Sequence, residues 1–210
     1  RQGAMNWLGQ DGSLWMFGGY GYATAVTSPP RYQNDLWQYD RTIGNWIWRK
    51  GNNTPNNFGV YGAITVEAAA NSPGSRHTGT TWTDANGNLW LFGGFGVGTG
   101  TGAASLNDLW RFNRGTGNWT WMKGSTVTGA AAVYGTLNTP AAGNTPGARS
   151  SAAGVYREGN LWLFGGYTGT SYYNDVWRYE IATGNWAWMG GGSTPNQNGV
   201  YGTQGTASTS

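Results

Sequence analysis

Asn88-Leu-Trp-Leu-Phe-Gly-Gly94 decides how this chain folds, because the chain repeats it. The phrase stands again as Ser13-Leu-Trp-Met-Phe-Gly-Gly19 and as Asn160-Leu-Trp-Leu-Phe-Gly-Gly166. A second phrase follows each copy: Asn34-Asp-Leu-Trp37, Asn107-Asp-Leu-Trp110 and Asn174-Asp-Val-Trp177. A third closes each unit, at Gly44-Asn-Trp46, Gly117-Asn-Trp119 and Gly184-Asn-Trp186, spaced by 73 and then 67 residues. Such a repeat marks stacked supersecondary blocks. Along Leu89-Trp-Leu-Phe92, alternation puts Leu89 and Leu91 on one side and Trp90 and Phe92 on the other. Both faces are apolar, so the strand needs cover on both sides.

Working outward, the second unit divides into four strands, about Arg76 to Thr83, Asn88 to Phe92, Asp108 to Asn113 and Asn118 to Lys123. Asn86-Gly87, with Asp11-Gly12 and Glu158-Gly159 in the other units, predicts a tight hairpin between the first two. Gly115-Thr-Gly117 links the last two. This is an up-and-down sheet. Trp46 with Trp48, Trp119 with Trp121 and Trp186 with Trp188 each load one face of the last strand. Small sheets that are apolar on both faces are covered by stacking radially, as blades.

The Gly-Gly after an apolar strand, the aromatic ring seven residues before a final Trp (Tyr39/Trp46, Phe112/Trp119, Tyr179/Trp186) and the opening Pro-Gly-x-Arg resemble kelch repeats. The resemblance covers all three units and implies an all-β fold, a β-propeller whose blades each have four antiparallel strands. The units, 1–75, 76–148 and 149–210, exceed the usual kelch length of about 50 residues. Closed propellers have about four to eight blades, so three make a partial ring. Tyr61 and Tyr134 each precede the next opening Arg by 15 residues, which places the sequel to Tyr201 six residues beyond Ser210. The chain therefore reads as a piece of a longer array, or as half of a ring that a second chain completes.

Strand alternation sends connections 1–2 and 3–4 to one rim and connections 2–3 and 4–1 to the other. The surplus length falls on the second rim, in residues 20–33, 95–106 and 167–173 and in the inter-blade loops 51–75, 124–148 and 191–210. That face is the expected binding surface. Its candidate ligand contacts are Tyr20, Tyr22, Tyr32, Phe95, Tyr167 and Tyr172, with Tyr173 beside them, all assigned to the 2–3 loops. Each inter-blade loop repeats Val-Tyr-Gly, so Tyr61, Tyr134 and Tyr201 are expected to anchor the loops.

The residues for enzyme chemistry are few. The chain has no Cys and one His, His77, which excludes thiolate nucleophiles and sites with several His ligands. His77 reads as a surface or strand-edge residue. Of nine carboxylates, Asp35, Asp108 and Asp175 recur by unit, as do Asp40 with Glu180 and Asp11 with Glu158. Recurrence suits turn formers and strand-end acceptors better than a single acid–base pair. Glu67 and Asp84 are singular and without an evident partner. Asp84-Ala-Asn86-Gly-Asn88 lacks the closing Glu of a calcium loop, and Gly93–Gly102 leads into no helix, so it is no phosphate cradle. The family resemblance includes copper oxidases similar to galactose oxidase, but their histidine and cysteine-linked tyrosine ligands have no counterpart here. No catalytic residue, metal site or cofactor is assigned.

With 10% charged residues, 38 Gly and a net charge of +3, nothing points to nucleic acid, and no apolar run reaches the roughly 18 residues of a membrane span. The expectation is a non-enzymatic interaction or structural module. It is expected to be exported by a bacterium or held at its surface, binding itself or a protein partner through the long-loop face. The alternatives are a carbohydrate-binding propeller and the noncatalytic propeller of a larger secreted enzyme.

Overall fold

A computed structural model describes residues 1–22, 30–100 and 102–206. Residues 23–29, Thr101 and 207–210, parts of the long loops expected on the binding face, lie outside it. The described residues form strands, turns and loops and no helix. The first sheet is β1 (Met5–Leu8), β2 (Leu14–Gly21), β3 (Arg31–Asp40) and β4 (Asn45–Lys50), hydrogen-bonded in that order. The second comprises β5 (Arg76–His77), β6 (Thr80–Thr83), β7 (Leu89–Gly96), β8 (Ala104–Asn113) and β9 (Asn118–Lys123). The third is β10 (Ala153–Arg157), β11 (Asn160–Tyr167), β12 (Tyr172–Glu180) and β13 (Asn185–Gly190). Every pairing is antiparallel. These are three blades of a β-propeller.

Two features depart from the sequence expectation. The first strand of the second unit is two strands, because Thr78 has φ 54° and interrupts the ladder. Ser151 and Gly3 occupy the same place in the other blades, at φ 57° and 61°. The amide of Thr78 donates to the carbonyl of Gly3, and the amide of Ser151 to that of Thr78, both at 2.8 Å. The kink thus sends one backbone hydrogen bond between each pair of neighbouring blades.

The second departure lies at Gly-Gly, which reads as a strand end. The pairing of β7 with β8 shifts register between Phe92 and Gly94 and then continues through Phe95 opposite Ser105. Gly93 and Gly94, at φ 61° and 95°, form a bulge that L side chains rarely tolerate. A Cβ on Gly93 would stand 2.6 Å from the carbonyl oxygen of Arg149, and one on Gly18 2.5 Å from that of Arg76. Neighbouring blades meet there backbone to backbone.

The two seams between blades are near copies. Phe17 lies edge-on to Trp119 and Phe92 edge-on to Trp186, each with ring centroids 5.5 Å apart and planes at 68°. Trp15 meets Phe112 at 5.7 Å, and Trp90 meets Tyr179 at 5.8 Å. The indole of Trp7 donates to the carbonyl of Trp90 at 2.9 Å, and that of Trp82 to the carbonyl of Trp162 at 3.1 Å. The first two inter-blade loops then run along the outer strand of the following blade. Ala68 bridges Trp119 and Ala141 bridges Trp186, while Asn71 and Asn144 donate to those tryptophan carbonyls at 3.1 Å.

Candidate functional site

Each blade is pinned by an ion pair whose recurrence in sequence did not reveal it. Arg76 opens the second blade and grips Asp108 with both terminal nitrogens, at 2.6 and 2.7 Å, and both side chains are fully buried. The same guanidinium donates to the carbonyls of Gly74 and Gly93, so four of its five N–H groups have partners at 3.0 Å or less. Asp108 also accepts from the indole of Trp110 at 2.7 Å and from the hydroxyl of Tyr61 at 2.7 Å. Burial, then the neighbouring carboxylate, pushes the Tyr61 phenol far above its ordinary range, so it stays a donor. Arg149, Asp175, Trp177 and Tyr134 repeat the arrangement in the third blade, with the tyrosine 2.9 Å from the carboxylate. The tyrosine comes each time from the loop of the preceding blade.

The first blade holds only part of this node. Arg1 pairs with Asp35, and Trp37 donates to Asp35 at 2.7 Å. Among the described residues, Asp35 receives no tyrosine. Tyr201, expected to anchor its loop like Tyr61 and Tyr134, is instead 96% exposed. Its two counterparts are held by a following blade, and none stands beside Tyr201 among the described residues. The outer faces differ in the same way. Trp119 and Trp186 are fully buried, whereas Trp46 is 43% and Trp48 49% exposed. Trp48 lines a cleft of about 480 Å³ between β4 and residues 69–72. On the third blade, Phe164 is 53% exposed and borders an apolar hollow of about 310 Å³ with Ala153, Val155, Trp162, Leu163 and Val176.

The ligand candidates do not form one site. Tyr20, Tyr32, Phe95, Tyr167 and Tyr172 stand on strands, not loops, because the hairpins continue past the Gly-Gly bulges. Tyr22 alone of the six is outside a strand. Tyr20, Tyr32 and Phe95 gather around His77, with Tyr32 stacked on the imidazole at 5.4 Å and Phe95 edge-on at 5.9 Å. His77 is therefore the half-buried centre of an aromatic cluster, and not a free surface residue. Burial lowers its pKa, and its Nδ1 has no hydrogen-bond partner. Tyr167 and Tyr172 pair separately on the third blade at 4.7 Å, with Tyr172 mostly exposed. Tyr173 lies beneath the Arg149 guanidinium, 4.0 Å from its ring centre.

The singular carboxylates have structural partners. Asp84 organises its turn by accepting from the amides of Asn86 and Asn88, the side chain of Asn88 and the indole of Trp90. Glu67 ties the first inter-blade loop to the β8–β9 turn through Thr116 and Asn113, whose hydrogen bonds hold its carboxyl below the usual range. Among the described residues no group of three or more His, Asp or Glu side chains could hold a metal ion. Among the described residues no helix is long and apolar enough to cross a membrane.

Comparison with known proteins agrees with this architecture. The Kelch motif profile matches residues 148–187. The solved structure of YjhT superposes with a TM-score of 0.60 at 16% identity, over 93% of this chain. The chain spans about half of that structure, 53% of its length. No curated protein sequence matches the chain. The fold is that of propeller blades, and the profile match falls on the third unit. The phrases and strand order of that unit recur in the other two.

Proposed function

We propose that this chain is a non-enzymatic interaction module that binds protein, another copy of itself included, through its long-loop face. One observation carries this reading. Phe58, Val60, Ile64 and Val66 in the first long inter-blade loop, and Val127, Val133 and Leu137 in the second, are each about half exposed. Exposed apolar side chains gathered on one set of loops mark interaction surfaces. Every carboxylate that recurs at the blade centres is engaged by arginine and tryptophan, which leaves no free acid–base pair there. The low charge and the polar, glycine-rich loops favour an exported or cell-surface setting.

Sedimentation velocity over a dilution series tests the proposal. Concentration-dependent association is expected, and a monomer at every concentration, with no partner bound, would sink it. A second reading, saccharide binding on the long-loop face, is favoured by the exposed rings of Tyr22 and Tyr172. A glycan array is its test: specific binding lost in Tyr172→Ala would support it, and an array without signal removes it.

A further inference from the structure

We infer that the seam between the first and second blades holds a small-molecule site beside the β8–β9 turn, on the rim opposite the long loops. Its ligand is a carboxylate that also bears hydroxyl groups, a sugar acid by class. The starting observation is a break in the repeat. At the second seam, Met122 and Ile181 pack against the core that contains Trp90 and Tyr179. The same positions of the first seam hold Arg49 and Arg114, and Gly115 stands where the third blade has Ala182. Two guanidinium groups thus replace two apolar side chains, and they do not fill the space. A cleft of about 420 Å³ lies there, lined by Gln38, Arg49, Arg114 and residues 115–117 with Trp15 and Phe112. Both of its walls belong to blades that face each other, so the cleft is complete within the described residues.

The protein leaves one charge in the cleft unbalanced. Arg114 pairs across the seam with Asp11, while its Nε is buried without a hydrogen-bond partner. The Nε of Arg49 donates to the side-chain oxygen of Gln38 at 2.8 Å. That bond holds one edge of the guanidinium and leaves its two terminal nitrogens. Among the described residues Arg49 pairs with no carboxylate, and no carboxylate lines the cleft. Glu67, which bonds Thr116 at its edge, is engaged by Asn113 as well. A guanidinium held this way offers the paired donors that a planar carboxylate accepts. The rest of the lining is neutral and polar, the Gln38 amide and the peptide groups of a glycine turn, and suits hydroxyl groups. Trp15 and Phe112 give the cleft an apolar base. An acidic peptide would use the charge and leave the neutral groups idle, whereas a sugar acid uses both. The volume falls in the range of small-ligand sites, about 300–1,000 Å³.

Ligand-observed NMR titration of the full chain is the test. Galacturonate, glucuronate and gluconate serve as sugar acids, galactose and acetate as the two half-ligands, and hexaglutamate as the acidic peptide. At least one sugar acid is expected to bind more tightly than both half-ligands. Arg49→Met installs the residue that the other two blades carry, and its far-ultraviolet circular dichroism spectrum should match wild type. It should weaken that binding about tenfold, the loss of a charge-assisted pair. Gln38→Glu keeps the side-chain shape and gives Arg49 an internal carboxylate, so it should weaken binding as much. Should Arg49→Met misfold, Gln38→Glu carries the test alone. No binding by any of the three acids, or binding that a folded variant leaves unchanged, overturns the site. Acetate binding as tightly as the sugar acids, or hexaglutamate displacing them at lower concentration, overturns the ligand class. Neither result bears on the long-loop face.

Discussion

The second blade and the first carry the same three phrases, yet their chemistry is far apart. Arg76 and Asp108 are sealed from solvent, while 22% of the Arg1 side chain remains accessible beside Asp35. Trp119 is enclosed by Phe17, Trp110 and Phe112, while its equivalent Trp46 meets Tyr39 and water. The shared residues therefore specify the shape of a blade, and the neighbour specifies what those residues contribute to stability. A repeat motif identifies a position; its energy depends on what covers it.

Substitutions at paired positions sharpen or break this contrast. The largest effect is expected for Arg76→Ala, which strands Asp108 in the interior and should cost about 3–5 kcal/mol. Arg1→Ala, at the half-open node, should cost about 1 kcal/mol or less. Urea unfolding of dilute monomer would compare them, and equal losses would erase the distinction between the blades. Next comes Tyr61→Phe, which removes a hydroxyl from a buried carboxylate and should cost about 1.5–3 kcal/mol. Tyr201→Phe should leave the unfolding midpoint of the monomer where it was.

The smallest effect concerns pH. His77 is held neutral by burial, with a pKa below its ordinary value of about 6.5. The unfolded chain therefore binds the extra proton first as pH falls. The contribution is whole above about pH 6.5 and is lost as the pH drops toward the folded-state value. His77→Gln should flatten the stability profile in that window, and an unchanged slope would mean the ring is hydrated.

Much of the fold was legible because these blades advertise themselves with tryptophan and glycine at fixed places. The tight turns, the four-strand order and the anchoring by Tyr61 and Tyr134 all follow from residues that repeat. What escaped has a physical reason in each case. Gly93-Gly94 reads as a terminus, but positive φ at both residues makes a bulge through which the ladder continues, carrying Phe95 from loop to strand. The Arg–Asp pairs span 34, 32 and 26 residues, a separation that local patterning does not join. Their signal was present all the same, since both partners recur once in every unit. His77 does stand on an edge strand, as read, but its aromatic setting was not legible, because its ring neighbours come from three different strands and two blades.

Where Gly18 passes Arg76 and Gly93 passes Arg149, the pitch of the assembly is gauged by peptide groups alone. Such a spacer travels inside the unit it serves. A gene that gains or loses a whole unit would therefore keep its geometry without any compensating change elsewhere, so lineages can alter the number of units far more readily than the joint between them.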